Sequence, residues 1–280
     1  MKILVVSDIH ATLDALEAVL SVESGRCEGL FCLGDTIGYG PDPSECVAAI
    51  RAAERSFGTA IILGGNHEAG LAGRLPMDWF NDHARRSVRH ARSVLSPEDI
   101  AWLSGLSSSA RFNAKVALSH GSPIASVTGY LFGGPETDEA LSYLDETGAR
   151  LCFCGHTHDA SAFGAIPPGF PRFPPPGEIL RIGGDSASRV ADPRAAPSHA
   201  SPSYDAVILN PGSVGFPRSF NGGRTEDMPG DLEPISERSF PAYYAVWDTE
   251  GTEAGGTVSF REVRYDRRPV ERRIMDSGLL

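Results

Sequence analysis

The chain has 280 residues, with 36 acidic and 25 basic side chains, so its formal net charge is −11. The apolar fraction of 41% and the charged fraction of 22% are typical of a globular protein and exclude a disordered tail. The excess of acidic residues argues against a broad surface for nucleic acid or for an anionic membrane, because both need a basic face.

Targeting and membrane segments leave no signal in this sequence. The opening run MKILVVSDIH is too short for a signal peptide, and no stretch approaches the roughly 20 apolar residues that a spanning helix needs. The five cysteines are an odd number in apolar surroundings, which favours free buried thiols and a cytoplasmic, reducing location. We interpret Cys152 and Cys154 as core residues rather than metal ligands.

The first two thirds of the chain alternates short apolar runs with helical periodicity. Strands are predicted at 3–6, 29–33, 60–63, 116–119 and 151–153, and helices near 13–20, 43–55, 81–95, 97–104 and 138–146. The residues Asp42-Pro43-Ser44-Glu45 predict a capping box at the start of the second helix. Four later strands, at 179–182, 206–209, 243–247 and 258–263, have the spacing of antiparallel hairpins.

This order predicts an α/β fold with two mixed β-sheets covered by helices. We expect one domain over residues 1–280. Nine of the 21 prolines lie between residues 167 and 202, so a proline-rich loop excursion is predicted at about 165–205. Its role is open between a cover for the active site and a surface loop.

The histidines carry the functional signal. Five of the eight follow a predicted strand in a turn-rich segment, at positions His10, His67, His120, His156 and His158. Asp8, Asp35 and Asn66 occupy equivalent strand ends. Ligands bind at the carboxyl ends of parallel strands, and a nitrogen and oxygen set without thiolate suits Mn, Fe, Zn, Ni or Co.

Five short motifs, in this order, resemble those of the calcineurin-like metallophosphoesterases. They are Asp8-Ile9-His10, Gly34-Asp35, Gly65-Asn66-His67-Glu68, His120 in SHGSP, and Gly155-His156-Thr157-His158. The segments GDTIGYGPDP at 34–43 and NPGSVGFPR at 210–218 are similar to the small bacterial phosphodiesterase-like branch. The resemblance implies an α/β/β/α sandwich of two mixed sheets flanked by helices.

The resemblance also implies a role for each residue. One metal ion is expected on Asp8, His10, Asp35 and His158, and a second on Asp35, Asn66, His120 and His156. Asp35 would bridge the two divalent or trivalent ions, with Mn favoured, and a bridging hydroxide would attack phosphorus in line. The catalytic residues would then be Asp35, Asn66 and His67, with His67 donating a proton to the leaving group or stabilising its negative charge.

A hydrolase of a small phosphodiester or nucleotide-type substrate is therefore the leading hypothesis. Protein Ser/Thr phosphatases continue their Gly-Asp motif with Val-Asp-Arg-Gly, whereas this chain has Thr36-Ile37-Gly38-Tyr39, without the arginine that grips a monoester. A protein phosphatase and a non-catalytic scaffold of the same fold are the alternatives.

Two further residues are candidates for substrate contact. Tyr39 follows Asp35 closely and would either border the substrate or pack, and Arg218 could supply a fork for a phosphate. Arg85, Arg89 and Arg92 share one face of the fourth predicted helix. That face is either a patch that attracts anions or an ordinary solvated surface, and we favour the second interpretation.

Overall fold

The structure is a computed structural model that describes residues 1–167, 169–183, 205–218 and 239–279. Its strands are β1 (Lys2–Val6), β2 (Gly29–Cys32), β3 (Thr59–Ile62), β4 (Ser109–Arg111), β5 (Val116–Ser119), β6 (Leu151–Phe153), β7 (Ala160–Gly164), β8 (Ile179–Ile182), β9 (Val207–Pro211), β10 (Ser239–Asp248) and β11 (Gly256–Asp266). Its α-helices are α1 (Leu13–Glu23), α2 (Pro43–Ser56), α3 (Asn66–Leu71), α4 (Asp82–Val94), α5 (Pro97–Gly105), α6 (Pro135–Glu146) and α7 (Arg268–Ser277). A 3₁₀ turn spans Met77–Trp79.

The first sheet has the order β3-β2-β1-β10-β11-β8. Strands β1, β2 and β3 are parallel, as expected for strands joined by the helices α1 and α2. The long hairpin β10–β11 then pairs antiparallel with β1, and β8 closes the far edge. The apolar run of β1 is buried on both faces, which matches its continuous hydrophobic sequence.

The second sheet has the order β4-β5-β6-β9-β7. Its three central strands, β5, β6 and β9, are parallel, while β4 and β7 pair antiparallel at the two edges. The carboxyl ends of β5 and β6 carry the histidine motifs. Each sheet therefore contributes a set of parallel strand ends to the site.

The two sheets face each other across an apolar core. Phe31 and Trp247 from the first sheet pack against Phe153 from the second, with ring centroids 6.2 and 5.6 Å from that of Phe153. Helices α1, α2 and α7 cover the outer face of the first sheet, and α6 covers that of the second. The predicted α/β/β/α sandwich of two mixed sheets is confirmed.

One local prediction is wrong. Asp42 is the N-cap residue of α2, yet its side chain makes no cap hydrogen bond. Its carboxylate instead accepts a hydrogen bond of 2.6 Å from Nε of Arg273 on α7. A charged guanidinium is the stronger partner, so this ion pair replaces the capping box.

Several shorter features were absent from the sequence-based prediction. Helices α3 and α7 and strands β4 and β7 are additional elements, and α6 begins at Pro135, before the expected residue 138. Within the described residues, the predicted excursion at 165–205 contains β8, while residues 184–204 lie outside them. All five cysteines are free and buried, as predicted. No helix of the described residues is long and apolar enough to cross a bilayer.

Candidate metal centre

The loops after five parallel strands meet between the two sheets and carry the candidate residues. Asp8 and His10 follow β1, Asp35 follows β2, Asn66 and His67 begin α3 after β3, His120 follows β5, and His156 and His158 follow β6. Every one of these residues is at most 5% exposed. The fold therefore collects in one buried place all the residues that the sequence marked at separate strand ends.

Asp8, His10 and His158 form what we call the first group. Nε2 of His10 lies 2.8 Å from Nε2 of His158. Oδ1 of Asp8 is 3.8 Å from the first of these nitrogens and 3.5 Å from the second. Oδ1 of Asp8 is buried and has no hydrogen-bond partner. Three ligand atoms thus converge on one small volume.

Asn66, His120 and His156 form the second group. Nε2 of His120 lies 3.0 Å from Oδ1 of Asn66 and 3.2 Å from Nδ1 of His156. Asp35 lies between the groups, because its Oδ2 is 3.9 Å from Nε2 of His10 and 3.5 Å from Nε2 of His120. The structure therefore brings one shared carboxylate within reach of both groups.

The protonation of the rings shows that the first group fits a cation. Nδ1 of His10 faces the Ile37 carbonyl at 3.3 Å, and Nδ1 of His158 faces the Phe216 carbonyl at 2.8 Å. A carbonyl only accepts, so each neutral ring carries its proton on Nδ1 and presents a lone pair at Nε2. Two lone pairs 2.8 Å apart repel each other. A metal ion bound by both would turn this repulsion into coordination.

The same reasoning applies to the second group. Nδ1 of His120 faces the Leu33 carbonyl at 2.9 Å, so its Nε2 lone pair points at the Asn66 amide oxygen and at His156. Two acceptors at 3.0 Å again have no proton between them. The residues present therefore fit a second cation.

Burial sets the charge state of these side chains. Desolvation lowers the pKa of His10 and of His156 well below 6.5, with a further contribution from neighbouring histidines. Desolvation also raises the pKa of Asp35 well above its usual value, and the negative charges of Glu68 and Asp8 add to this. Neutral imidazoles together with buried carboxylates favour the binding of a positive ion.

The backbone at these strand ends is strained. Asp8, His10, Asp35, His156 and His158 all have positive φ, between 50° and 70°. Such conformations cost of order 1–3 kcal/mol each for residues other than glycine and persist only where the surroundings fix them. Two sets of hydrogen bonds do so here.

Glu68 fixes the Asp35 loop. Its carboxylate accepts backbone hydrogen bonds from Asp35 at 3.0 Å, from Ile37 at 3.1 Å and from Gly65 at 2.7 Å. The adjacent acid in the motif therefore positions Asp35 and leaves His67 to other contacts.

The segment at 210–216 fixes Asp8 and His158. The Ser213 hydroxyl donates a 2.7 Å hydrogen bond to the Asp8 carbonyl, and the Phe216 carbonyl accepts from His158. The sequence marks this segment only through its similarity to the family and indicates neither of these roles. The serine in NPGSVG was the available signal.

His67 lies beside the shared carboxylate, with its Nε2 4.0 Å from Oδ2 of Asp35. Its backbone N–H donates a 3.0 Å hydrogen bond to Oδ1 of the same residue. Its Nδ1 is buried without a hydrogen-bond partner. The ring is instead packed by Tyr39 at 4.9 Å and Phe80 at 5.4 Å between centroids.

Both candidate substrate residues lie at the centre. The Tyr39 ring contacts His10 at 4.7 Å as well as His67. The Arg218 backbone N–H donates a 3.3 Å hydrogen bond to the His158 carbonyl, and the positive charge of Arg218 contributes to lowering the pKa of His156. Their roles in substrate binding stay predictions.

The arginines of α4 have a partly structural role. Arg85 donates to the carbonyls of Met77 at 3.2 Å and Phe80 at 3.0 Å, and Arg92 donates to that of Leu71. These bonds tie the face of α4 to the end of α3 and to the turn before α4.

The sandwich and its buried histidine–carboxylate cluster define a metal-binding α/β/β/α protein. Residues 1–160 match the family model of the calcineurin-like phosphoesterases, and the chain belongs to this family. Family and ligand clusters together support a metal-dependent phosphoesterase.

Three known proteins are similar to this chain in sequence or in structure. An uncharacterized protein of Methanocaldococcus jannaschii is 35% identical over 162 residues, which are 56% of this chain and 62% of that protein. This chain thus aligns with less than two thirds of that relative's length. A metallophosphoesterase from Sphaerobacter thermophilus has a crystal structure similar to 100% of this chain and 95% of its own, with 29% identity and a TM-score of 0.67. A hypothetical protein from Pyrococcus horikoshii OT3 shares the fold at 18% identity, with a TM-score of 0.68 and coverage of 100% and 94%.

Proposed function

We propose that the protein is a two-metal hydrolase that cleaves small phosphodiesters or nucleotide-type esters. The observation that carries this proposal is that the first and second groups lie on either side of Asp35, with ligand atoms converging in each. The first group with Asp35 would hold one ion, and the second group with Asp35 would hold the other. Manganese is the ion we favour, since nitrogen and oxygen ligands without thiolate accept it.

Two bound divalent ions neutralise charge on phosphoryl oxygens and lower the pKa of water toward neutrality. The protein's own residues supply position and hydrogen bonding. Asp35 is fixed by Glu68 and would keep both ions in a constant relation. The candidate ligand residues are buried, and the resulting low dielectric constant strengthens each electrostatic interaction with the substrate.

His67 would act on the leaving group. Burial and the nearby histidines lower the pKa of His67 to about 3, so its ring is neutral at physiological pH. A neutral imidazole keeps one N–H, and this would donate a hydrogen bond to the leaving oxygen as negative charge builds there. Of the two roles predicted for this residue, stabilisation of the leaving group therefore has the better support.

A diester is the favoured substrate class because of charge. A phosphomonoester carries close to two negative charges at neutral pH and a diester carries one, so a monoester needs more cationic contacts. The segment after Gly34-Asp35 lacks the arginine that protein phosphatases have after their Gly-Asp motif. Arg218 is a cationic side chain that we propose contacts the substrate together with Tyr39.

Two other functions are weaker. A protein Ser/Thr phosphatase would need the missing arginine. A scaffold without catalysis would show substitutions among the ligands or at His67, and none is present in this sequence. The five free thiols favour a reducing compartment, and we propose the cytoplasm.

The test combines metal analysis with hydrolysis of bis(p-nitrophenyl) phosphate and p-nitrophenyl phosphate by the manganese-loaded protein. We expect about two metal equivalents per chain and a higher kcat/KM for the diester. Asp35→Asn should lose metal and activity together, while His67→Ala should keep its metal and lose turnover.

Each outcome bears on a separate part of the proposal. Two equivalents of metal without turnover of either ester would refute the hydrolase function. A preference for the monoester would overturn the substrate class alone. Loss of metal in His67→Ala would overturn the role of that histidine.

A further inference from the structure

An exposed aromatic cluster borders the second group. In the described part of the chain, four aromatic side chains are at least 40% exposed: Trp79, Tyr130, Phe132 and Tyr143. Three of them, all but Tyr143, form a chain of ring contacts with one another or with His156. Apolar side chains gathered at the surface beside a polar site mark a place where a ligand binds.

The rings are arranged for stacking. Tyr130 lies on the His156 ring at a centroid distance of 4.0 Å and an interplanar angle of 27°. Phe132 is nearly parallel to Tyr130, with 5.8 Å between ring centroids and 7° between ring planes. Trp79 lies 6.3 Å from the same histidine, at an angle of 20°. Near-parallel rings that are partly exposed offer a platform for another flat ring.

The turn that carries Trp79 is fixed in place. Arg85 donates hydrogen bonds to the carbonyl of Met77, two residues before Trp79, and to that of Phe80, the residue after it. Phe80 itself packs edge-on against His67 at 5.4 Å. The backbone of this turn therefore loses little conformational entropy when Trp79 binds a ligand.

We propose that Trp79 and Tyr130 form a stacking platform for a nucleobase on the ester group that stays attached to phosphorus. This inference rests on the proposed phosphodiesterase function and names its substrate class as nucleoside phosphodiesters. We assign the platform to the retained ester group because Trp79 and Tyr130 both lie against the His156 ring. The ring of His67, which would act on the leaving group, is packed by Tyr39 and Phe80 instead. Every base has a π face, so stacking admits several bases.

The test keeps the leaving group constant. Thymidine 5′-p-nitrophenyl phosphate and methyl p-nitrophenyl phosphate both release p-nitrophenolate, and differ only in the retained ester. We expect the manganese-loaded protein to favour the thymidine ester by roughly tenfold in kcat/KM. Trp79→Ala and Tyr130→Ala should reduce this ratio to below about threefold, whereas Trp79→Phe and Tyr130→Phe should keep most of it.

Two controls separate stacking from damage to the centre. Tyr143→Ala removes an equally exposed aromatic ring from α6 and should leave the ratio unchanged. Metal content is measured for every variant, because Tyr130 supports His156. A fall in the rates of both esters by the same factor in Trp79→Ala would overturn the platform.

A binding measurement does not depend on turnover. Of the three tryptophans, Trp79 is 41% exposed, Trp102 is half-buried and Trp247 is fully buried, so the Trp79→Phe variant is needed to assign the quenching of tryptophan fluorescence by thymidine 5′-monophosphate to Trp79. Methyl phosphate should not quench, and Trp79→Phe should abolish the effect. Turnover of both esters at equal rates without quenching would refute the platform and leave the phosphodiesterase proposal intact. Nucleotide-specific quenching without hydrolysis of either ester would support the platform and refute the phosphodiesterase proposal.

Discussion

The two groups around Asp35 differ in how firmly their ligands are held. In the first group, both histidines donate Nδ1–H to carbonyls, and Asp8 adds its own carboxylate. In the second group, only His120 has such a bond. His156 is supported by stacking on Tyr130, its Nε2 has no hydrogen-bond partner, and Asn66 is neutral.

This difference predicts two unequal metal positions. A ligand histidine whose second nitrogen is hydrogen-bonded is oriented in advance, and loss of that partner commonly costs 10–100-fold in affinity. A carboxylate also attracts a cation more strongly than an amide does. The first position should therefore bind its ion more tightly than the second.

The largest expected effect removes the support that both positions share. Glu68→Ala leaves three backbone N–H groups, those of Asp35, Ile37 and Gly65, without their acceptor. Each buried unpaired donor costs about 1–3 kcal/mol, so we expect a loss of roughly 4 kcal/mol in the free energy of unfolding. Urea unfolding of the metal-free variant measures this loss. The affinity for metal should fall at both positions together.

Glu68→Gln is the matched variant, because its amide keeps one oxygen and the side-chain length. We expect an intermediate loss of stability. If Glu68→Ala weakened only one metal position, the shared role of the Asp35 loop would be wrong.

Metal release tests the comparison directly. His158→Ala removes a ligand from the first group and His156→Ala removes one from the second. We expect a chelator titration of the unsubstituted protein, followed by elemental analysis, to release two ions in separate steps. His156→Ala should abolish the weaker step and keep the tighter ion, while His158→Ala should weaken the tighter one by at least about 100-fold. Release of both ions at one chelator concentration would contradict the inequality.

The ligands were predictable from sequence because each stands immediately after a short apolar strand. Parallel strands bring such positions to one sheet edge whatever the loops do. The supports were not predictable, since Glu68 and Ser213 reach backbone groups far away in sequence. The same limit applies to the Asp42 capping box, which a distant arginine replaces. Trp79 and Tyr130 follow no periodic pattern, so only the folded chain places them beside His156.

A smaller effect concerns the leaving-group side. A Cβ atom at Gly38 would lie 2.0 Å from Nδ1 of His67, and the φ of Gly38 is +98°. Gly38→Ala should therefore displace the His67 ring and lower kcat by about 10–100-fold, with metal content unchanged. Gly25→Ala is the control, because Gly25 also has a positive φ, of +78°, and its Cβ would meet nothing within 4 Å. An equal loss of activity in both variants would show that backbone strain, rather than the His67 contact, is responsible.

The smallest effect is the pH dependence of the metal-free protein. Burial lowers the pKa of His67 to about 3, below the value near 6.5 in an unfolded chain. Between these two values the unfolded state binds the additional proton, so stability is complete above pH 6.5 and falls as the pH decreases. At pH 5 this histidine should cost about 2 kcal/mol relative to pH 8.

The pKa of Asp35 is raised, so the folded state binds that proton more readily and Asp35 opposes the trend in the window above pH 3.8. The lowered pKa values of His10, His83, His156 and His158 act in the same direction as that of His67, whereas Asp159, whose pKa burial raises to about 7, opposes them together with Asp35. Urea unfolding at pH 8 and pH 5 of the unsubstituted protein and of His67→Gln separates His67 from these other groups. The change in the free energy of unfolding on acidification should be less unfavourable in His67→Gln by about 2 kcal/mol. An equal change in both proteins would mean that the His67 ring is already accessible to protons, which would contradict its burial against Tyr39 and Phe80.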